Sequence, residues 1–257
     1  MARRSIWKGA ISFGMVAIPA KLYSATEDQK ISLHQYHKEC GTRISMPKLC
    51  RQCGKELQTV DIVKGYEVGD SYVPLTEEDF QNLPLKSLKT IEVVEFINPD
   101  QVDVRAYDSS YFLAADTGGD KAYRLFLWAM AEANLVAVAK LGYREREHLA
   151  IVRPYQGVML VQSLRYAEEL KDFSDLKPVE RPISNKEMEL AVSLVKAMAT
   201  PQFDPGKYHD EYRQALEKLI EAKIAGEALP VVQETPAAVS DVADALLTSL
   251  KLVEAKR

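Results

Sequence analysis

The stretch Trp7-Lys-Gly-Ala-Ile-Ser-Phe-Gly-Met-Val-Ala-Ile-Pro-Ala-Lys-Leu22 decides the fold class. Its apolar side chains fall first on odd positions, from Trp7 to Met15, and then on even positions, from Val16 to Leu22. A period of two is typical of a strand with one buried face, and the one-residue shift indicates a strand pair or a bulged strand. We therefore expect β-structure from the start of the chain.

Strand character continues through the first two thirds of the sequence. Two helices interrupt it, beginning at Thr76 and at Asp120, which we expect to act as their N-caps. The remaining segments are rich in β-branched and aromatic residues, as strands usually are. They span 31–36, 61–68, 71–75, 88–97, 102–114, 135–143, 149–153 and 157–164. With so few helices between strands, we predict an α+β fold dominated by a mostly antiparallel, closed β-barrel.

The last third of the sequence has helical patterns. Ser184 and Glu187 form a capping box at the start of one predicted helix, and Asp204-Pro205 begins a second that ends near Gly226. Their apolar faces could pack on the barrel or form a contact between two copies of the chain. The residues predicted for a dimer interface are Val192, Val195, Tyr212, Leu216 and Ile220.

A separate amphipathic helix is predicted at the C-terminal end. Residues 227–238 have the composition of a linker, and Ser240 is placed to cap the helix that follows. An isolated helix of this kind is either a docking peptide for a partner's groove or a frayed tail. Its apolar stripe consists of Val242, Leu246, Leu250 and Val253.

All three cysteines of the chain lie in one short segment with metal-ligand spacing. His37, Cys40, Cys50 and Cys53 form the pattern H-x2-C-x9-C-x2-C, which suits one tetrahedral, structural zinc ion. Cys50 and Cys53 could instead be a redox pair, but no helix is predicted behind them. His34 is an alternative to His37, although the spacing of His37 from Cys40 mirrors that of the two later cysteines.

The charge of the chain is strongly polarised. The net charge is −4, yet residues 1–64 hold eleven Lys and Arg against five Asp and Glu, so the remainder carries −10. A basic region that coincides with a metal site is typical of a surface for a polyanion. Each of its cations is either a phosphate contact or a solvated surface charge. The predicted DNA contacts are Arg3, Arg4, Lys8, Lys21, Lys30, Arg43, Lys48, Arg51, Lys55 and Lys64.

The sequence favours a binding protein over an enzyme. It contains no glycine-rich phosphate loop, no nucleophile elbow and no acidic metal cluster. No apolar stretch is long enough to cross a bilayer, so no membrane association is expected. The cysteine usage favours a reducing compartment, and we expect a cytoplasmic protein.

Long stretches of the sequence closely resemble bacterial Ku proteins, the DNA-end-binding component of non-homologous end joining. The resemblance runs over roughly residues 3–229. It includes Arg4-Ser-Ile-Trp-Lys-Gly-Ala-Ile-Ser-Phe-Gly14, His34-Gln-Tyr-His-Lys-Glu-Cys-Gly41, Cys50-Arg-Gln-Cys-Gly54 and Phe203-Asp-Pro-Gly-Lys-Tyr208.

The resemblance implies a homodimeric ring that threads a double-stranded DNA end. Residues 1–180 would form the Ku β-barrel core with a bridge at 26–64, in which zinc replaces a hydrophobic core. Residues 181–229 would be the dimerisation arm. Residues 230–257 would be a linker and a helix that recruits an ATP-dependent DNA ligase, in a nucleoid-associated protein.

Two further expectations qualify this assignment. Many Ku proteins continue into a lysine-rich extension, which is not present after Arg257, so we do not expect activities that depend on it, such as bridging DNA ends. The rival classes are a zinc-ribbon RNA-binding or transcription-associated module without enzymatic activity, and a zinc hydrolase.

Overall fold

The chain forms two compact units, Met1–Asp172 and Phe173–Arg257. A computed structural model describes residues 3–83, 89–144, 146–176, 182–226 and 242–255. The first unit is built on a closed β-barrel and the second consists of helices.

The barrel has seven strands in the order β1-β2-β6-β9-β8-β7-β5. Every neighbouring pair is antiparallel except β1 and β5, which are parallel. The prediction of a closed, mostly antiparallel barrel is therefore confirmed. The strands are β1 (Trp7–Phe13), β2 (Val16–Ser24), β5 (Thr90–Ile97), β6 (Tyr107–Ala115), β7 (Val136–Tyr143), β8 (Arg146–Tyr155) and β9 (Val158–Leu164).

Glycine and tryptophan in β1 allow the barrel to close. A side chain at Gly9 would collide with the backbone carbonyl of Lys89 and with the ring of Trp7, so only glycine fits where β1 meets β5. The indole Nε1 of Trp7 donates a 2.9 Å hydrogen bond to the carbonyl of Gly142 in β7. β1 lies between β2 and β5 in the barrel, and the Trp7 side chain also reaches β7, the strand next to β5.

Helix α2 (Asp120–Ala133) packs on the barrel at the end where β6 finishes. Its N-cap is Gly119, so the prediction that Asp120 caps the helix is wrong by one residue. The buried hydroxyl of Tyr123 donates to the carbonyl of Leu113 at 2.5 Å and accepts from the N–H of Met159 at 2.8 Å. This double hydrogen bond ties the helix to β6 and β9, and burial raises the pKa of Tyr123.

An insertion of 25–89 separates β2 from β5 and contains the predicted bridge. It holds the hairpin of β3 (Lys64–Val68) and β4 (Ser71–Leu75) and the short helix α1 (Glu77–Gln81), whose capping box at Thr76 confirms the prediction. The strand predicted over 31–36 is not formed, apart from one isolated bridge at Tyr36. None of the described residues of the insertion is buried, so the apolar alternation there has no surface to pack against.

The second unit contains α3 (Asn185–Met198), α4 (Glu211–Ala225) and α5 (Val242–Ala255). The capping box of Ser184 with Glu187 is confirmed. The prediction that Asp204-Pro205 starts α4 is wrong: Asp204 caps a 3-10 turn over Pro205–Lys207, and the helix begins after Asp210. Glycine at 206 disfavours a continuous helix there.

Helix α5 packs against α3 within this unit. The predicted linker at 227–238 and the predicted cap Ser240 lie outside the described residues. In the described part of the chain, no helix is long and apolar enough to span a membrane.

Candidate functional site

A tight turn holds the first predicted pair of metal ligands. The N–H of His37 donates to the carbonyl of Thr42 at 2.8 Å, and the N–H of Gly41 donates to the carbonyl of His37 at 2.9 Å. Gly41 has φ of 67°, which a residue with a side chain adopts only with strain. The turn brings His37 Nδ1 to 3.0 Å from Cys40 Sγ.

Hydrogen bonding prepares the Cys40 thiol for ionisation. Cys40 Sγ lies 3.3 Å from the hydroxyl of Thr42, which donates once the thiol is ionised. The hydrogen bonds with Thr42 and His37 lower the pKa of Cys40 to about 7. Because the thiolate is the form that binds metals, this environment favours a ligand role.

The second predicted pair lies in a turn of the same kind. The N–H of Cys50 donates to the carbonyl of Lys55, and the N–H of Gly54 donates to the carbonyl of Cys50, both at 2.9 Å. Gly54 has φ of 65°, matching Gly41. Hydrogen bonds from the backbone and thiol of Cys53 lower the pKa of Cys50. Each half of the predicted site therefore has the backbone that a metal-binding turn needs.

The two turns are not joined into one cluster. Among the residues that the structure describes, no three His, Cys, Asp or Glu side chains lie close enough together to hold a metal ion. The assembly of the four predicted ligands therefore remains a prediction. His34, the alternative ligand, lies with Nδ1 3.1 Å from Nη2 of Arg43 and outside the His37 turn.

The ten predicted DNA contacts differ in their surroundings. Six have a partner: Lys8 and Lys21 pair with Asp116, Lys30 pairs with Asp28, Arg43 contacts His34, and Arg3 and Lys64 lie over the rings of Phe112 and Phe80. The other four are exposed and, within the described part of the chain, form no ion pair. They are Arg4, Lys48, Arg51 and Lys55, and the last three surround the cysteine turn.

Asp116 is a charged residue that the sequence analysis missed. Its carboxylate is 8% exposed and lies 2.6 Å from Lys21 Nζ and 3.0 Å from Lys8 Nζ, and it accepts a 2.8 Å hydrogen bond from the N–H of Thr117. The hydrogen bonds from Lys21 and Lys8 hold the pKa of Asp116 far below its usual range. The two lysines lie in neighbouring strands and Asp116 follows a third strand, so the three residues form no motif in the sequence.

Replacing this carboxylate should give a pH-dependent loss of stability. A depressed pKa in the folded state stabilises the fold above the unfolded pKa of about 4, and this contribution disappears as the pH falls through that value and below. Asp116→Asn should therefore lower Tm by a few degrees at pH 7, and the difference from wild type should shrink as the pH is lowered below about 4. Thermal unfolding followed by circular dichroism measures both effects.

The control for this substitution is Asp28→Asn. Asp28 forms an exposed ion pair with Lys30, with side chains 66% and 87% exposed, and exposed pairs contribute little. Its Tm should stay near wild type. Equal losses for the two variants, or a loss at Asp116 that does not depend on pH, would contradict the role of the buried carboxylate.

Three of the five predicted dimer residues are exposed in the single chain and two are half-buried. Val192, Val195 and Tyr212 are exposed, whereas Leu216 and Ile220 are half-buried. On α3 the less exposed apolar residues Leu190 and Leu194 lie on one stripe. An adjacent stripe stays exposed in the single chain and consists of Met188, Val192, Val195 and Met198.

The predicted docking helix is not isolated from the rest of the second unit. Leu246 and Leu250 of α5 are half-buried, and α5 packs on α3. The side chains of Val242 and Val253 lie outside the described residues. The sequence pattern identified the helix, but not the neighbour it contacts.

Comparison with known proteins identifies the family of this barrel. The family model of the Ku70/Ku80 beta-barrel domain matches residues 12–190, which include the end of β1, the other six barrel strands and the insertion between β2 and β5. The chain belongs to the Ku family. The resemblance noted in the sequence is therefore confirmed.

Curated Ku proteins are similar over nearly the whole chain. "Non-homologous end joining protein Ku" of Archaeoglobus fulgidus is 41% identical over 98% of this chain and 100% of its own length. The proteins of the same name from Symbiobacterium thermophilum and Mycolicibacterium smegmatis are each 37% identical. The match covers 100% of this chain and 65% of the former protein, and 99% of this chain and 83% of the latter.

Among solved structures, the comparison also matches the SPOC domain of human PHD-finger protein 3. It shares 14% sequence identity and covers 66% of this chain, with a TM-score of 0.31. A score this low supports no conclusion about function.

Proposed function

We propose that this chain binds double-stranded DNA ends without reading sequence and acts in non-homologous end joining. The observation that carries the proposal is the barrel of the Ku family, whose insertion presents the exposed cations Lys48, Arg51 and Lys55 around the cysteine turn. Exposed Lys and Arg contact phosphates and release counterions, which gives affinity that does not depend on the bases. A competition shift assay with linear and covalently closed duplex tests the assignment.

We further propose that the active form is a homodimer whose two bridges enclose the duplex. The exposed stripe on α3 supports this proposal, because a helix in a monomer normally buries its apolar residues. A ring of two copies would place the unpaired cations Lys48, Arg51 and Lys55 of both chains around one duplex. Such a ring would load only where the DNA has a free end.

We propose that one structural zinc ion joins the two turns of the bridge. The donor chemistry fits, since each turn presents two side chains suited to zinc, and the thiols of Cys40 and Cys50 have lowered pKa values. The described part of the insertion has no buried residue, so a metal would supply the stability that a hydrophobic core gives elsewhere. His37, Cys40, Cys50 and Cys53 would hold it, and they would position the basic side chains nearby.

Metal analysis of the purified chain should find close to one zinc per protomer. His37→Ala should lower zinc retention after dialysis against a chelator by at least about tenfold, the lower end of what the loss of only an outer-shell partner of a ligand costs. His34→Ala is the matched control and should retain zinc, since His34 lies in contact with Arg43 instead. Loss of zinc in the His34 variant alone would reassign the ligand, and absence of zinc from wild type would refute the site.

We propose that α5 recruits the ATP-dependent DNA ligase of the end-joining system. Its apolar stripe includes Leu246 and Leu250, which are half-buried, so docking would replace the packing of α5 on α3 with packing on the partner. Removal of residues 231–257 should leave duplex affinity unchanged and abolish stimulation of the cognate ligase. If the shortened chain still stimulates the ligase normally in an assay that joins two DNA ends, the docking site lies elsewhere.

A further inference from the structure

A polar cavity of about 330 Å³ lies at one end of the barrel, beside the turn between β7 and β8. Tyr111 and Tyr143 form part of its wall, with ring centroids 5.8 Å apart in an edge-to-face arrangement. Two arginines, the carboxylate of Asp108 and further polar and apolar groups complete the lining. The lining residues are Asp108, Ser109, Tyr111, Leu141, Tyr143, Arg144, Arg146, His148 and Ser163.

The strand register places this cavity where the insertion joins the barrel. Tyr111 pairs with Ser24, the last residue of β2, after which the chain leaves the barrel. Leu141 pairs with Ile91, next to Thr90, where the chain returns. Both connections of the insertion therefore adjoin residues that line the cavity. A duplex held by the bridge would approach the barrel from this end.

The cationic groups of the cavity are available for an anion. In the described part of the chain, Arg144 and Arg146 form no ion pair, and both are exposed at the cavity mouth. The carboxylate of Asp108 is neutralised by Arg165 at 2.8 Å, while Glu147 pairs with Lys140 at 3.2 Å. The described lining of the cavity thus carries an excess of positive charge.

The backbone holds Arg144 in an unusual conformation. Arg144 directly follows Tyr143, the last residue of β7, and has φ of 50°. A positive φ favours Gly or Asn, because most other side chains are strained there. The guanidinium of Arg144 lies over the ring of Tyr143 with its carbon 5.0 Å from the ring centroid. This contact places a planar donor group beside the cavity.

We propose that this cavity binds one phosphate group of the DNA through Arg144 and Arg146. Two guanidinium groups present parallel N–H donors that match the oxygens of a phosphate, and such charge-assisted hydrogen bonds are strong. The inference rests on the proposed DNA binding and adds a contact on the barrel to those of the bridge. The phosphate is either an internal diester or the monoester of a 5′ end, and both present anionic non-bridging oxygens to the two guanidinium groups.

Replacing both arginines should remove this contact and leave the others. Arg144→Ala/Arg146→Ala should weaken binding to a linear duplex roughly tenfold and reduce the magnitude of the slope of log K against log salt by about one unit. The matched control is Lys121→Ala/Arg124→Ala, which removes two exposed cations of α2 at the other end of β6. The control should keep the slope of wild type. Fluorescence anisotropy over a salt series measures all three proteins.

The outcomes separate this proposal from the proposed function. If wild type does not bind linear duplex, the proposed function fails. If wild type binds but the Arg144/Arg146 variant keeps the wild-type slope, the cavity proposal fails. Arg144→Lys/Arg146→Lys keeps both charges and should keep the wild-type slope of log K against log salt. A smaller slope together with a lower Tm in this variant would indicate that the two arginines have a structural role, and it would overturn the proposal.

A second pair of substrates identifies the source of the phosphate. Duplexes with 5′-phosphate and with 5′-hydroxyl ends are compared for wild type and for the alanine double variant. A preference of wild type for phosphorylated ends that disappears in the variant supports a terminal phosphate. Equal affinities for the two ends, with the same loss in the variant, support a backbone phosphate.

Discussion

Covalently closed circular duplex should compete at least about tenfold less well than the same DNA after linearisation. If the two bridges of a dimer enclose the duplex, a closed circle can reach only the outer surface, where fewer cations contact fewer phosphates. Sequence should not matter, because phosphate contacts carry no base information. The measurement is a competition shift assay at fixed salt with a labelled linear duplex as the probe.

Two controls make this result specific to threading. Linear DNAs of equal length but unrelated sequence should compete equally well. A linear duplex whose two ends are closed by bulky hairpins should behave like the circle, although it has the same accessible phosphates along its length. If DNA without free ends competes as well as linear DNA with free ends, the ring is excluded. This holds even if the protein is a dimer and its cations contact phosphates.

The parts of the fold that were predicted correctly depend on local sequence signals. The barrel strands follow from alternation, and the capping boxes at Thr76 and Ser184 each involve residues three positions apart. The strand over 31–36 failed because alternation needs a surface to cover, and the insertion offers none. The start of α4 was misplaced since Asp204 and Asp210 both cap, and only the later one begins an α-helix.

The missing parts of the candidate site depend on contacts between distant segments. Asp116 meets Lys8 and Lys21 only because β2 pairs with β6, and the cavity around Arg144 exists only once the barrel has closed. The two metal turns show the same limit. Each is encoded by local spacing and a glycine with positive φ, whereas the proposed assembly of the two turns around one ion depends on a metal that the sequence does not contain.

The exposed stripe of α3 is the surface on which the proposed dimer depends. Val195 is 70% exposed and Val192 is 42% exposed in the single chain, so neither is needed for the core of its own unit. Exposed apolar residues on one stripe gain stability only when another surface covers them. A glutamate in the stripe would have to be buried without a partner charge, which strongly opposes association.

Val192→Glu/Val195→Glu should therefore convert the protein into a monomer with its chain mass of 28.8 kDa, as measured by light scattering. Duplex affinity should fall by roughly a hundredfold or more, and the slope of log K against log salt should halve, because each copy supplies half of the phosphate contacts. Helix content and Tm should change little, since both positions are exposed in the single chain.

The matched control is Ser193→Glu on the polar face of the same helix, which should leave mass and affinity unchanged. A wild-type monomer at micromolar concentration would refute the dimer. A monomeric double variant that binds linear duplex as tightly as wild type would show that one copy is sufficient. That second result would also exclude the proposed ring, because the ring requires two copies of the chain.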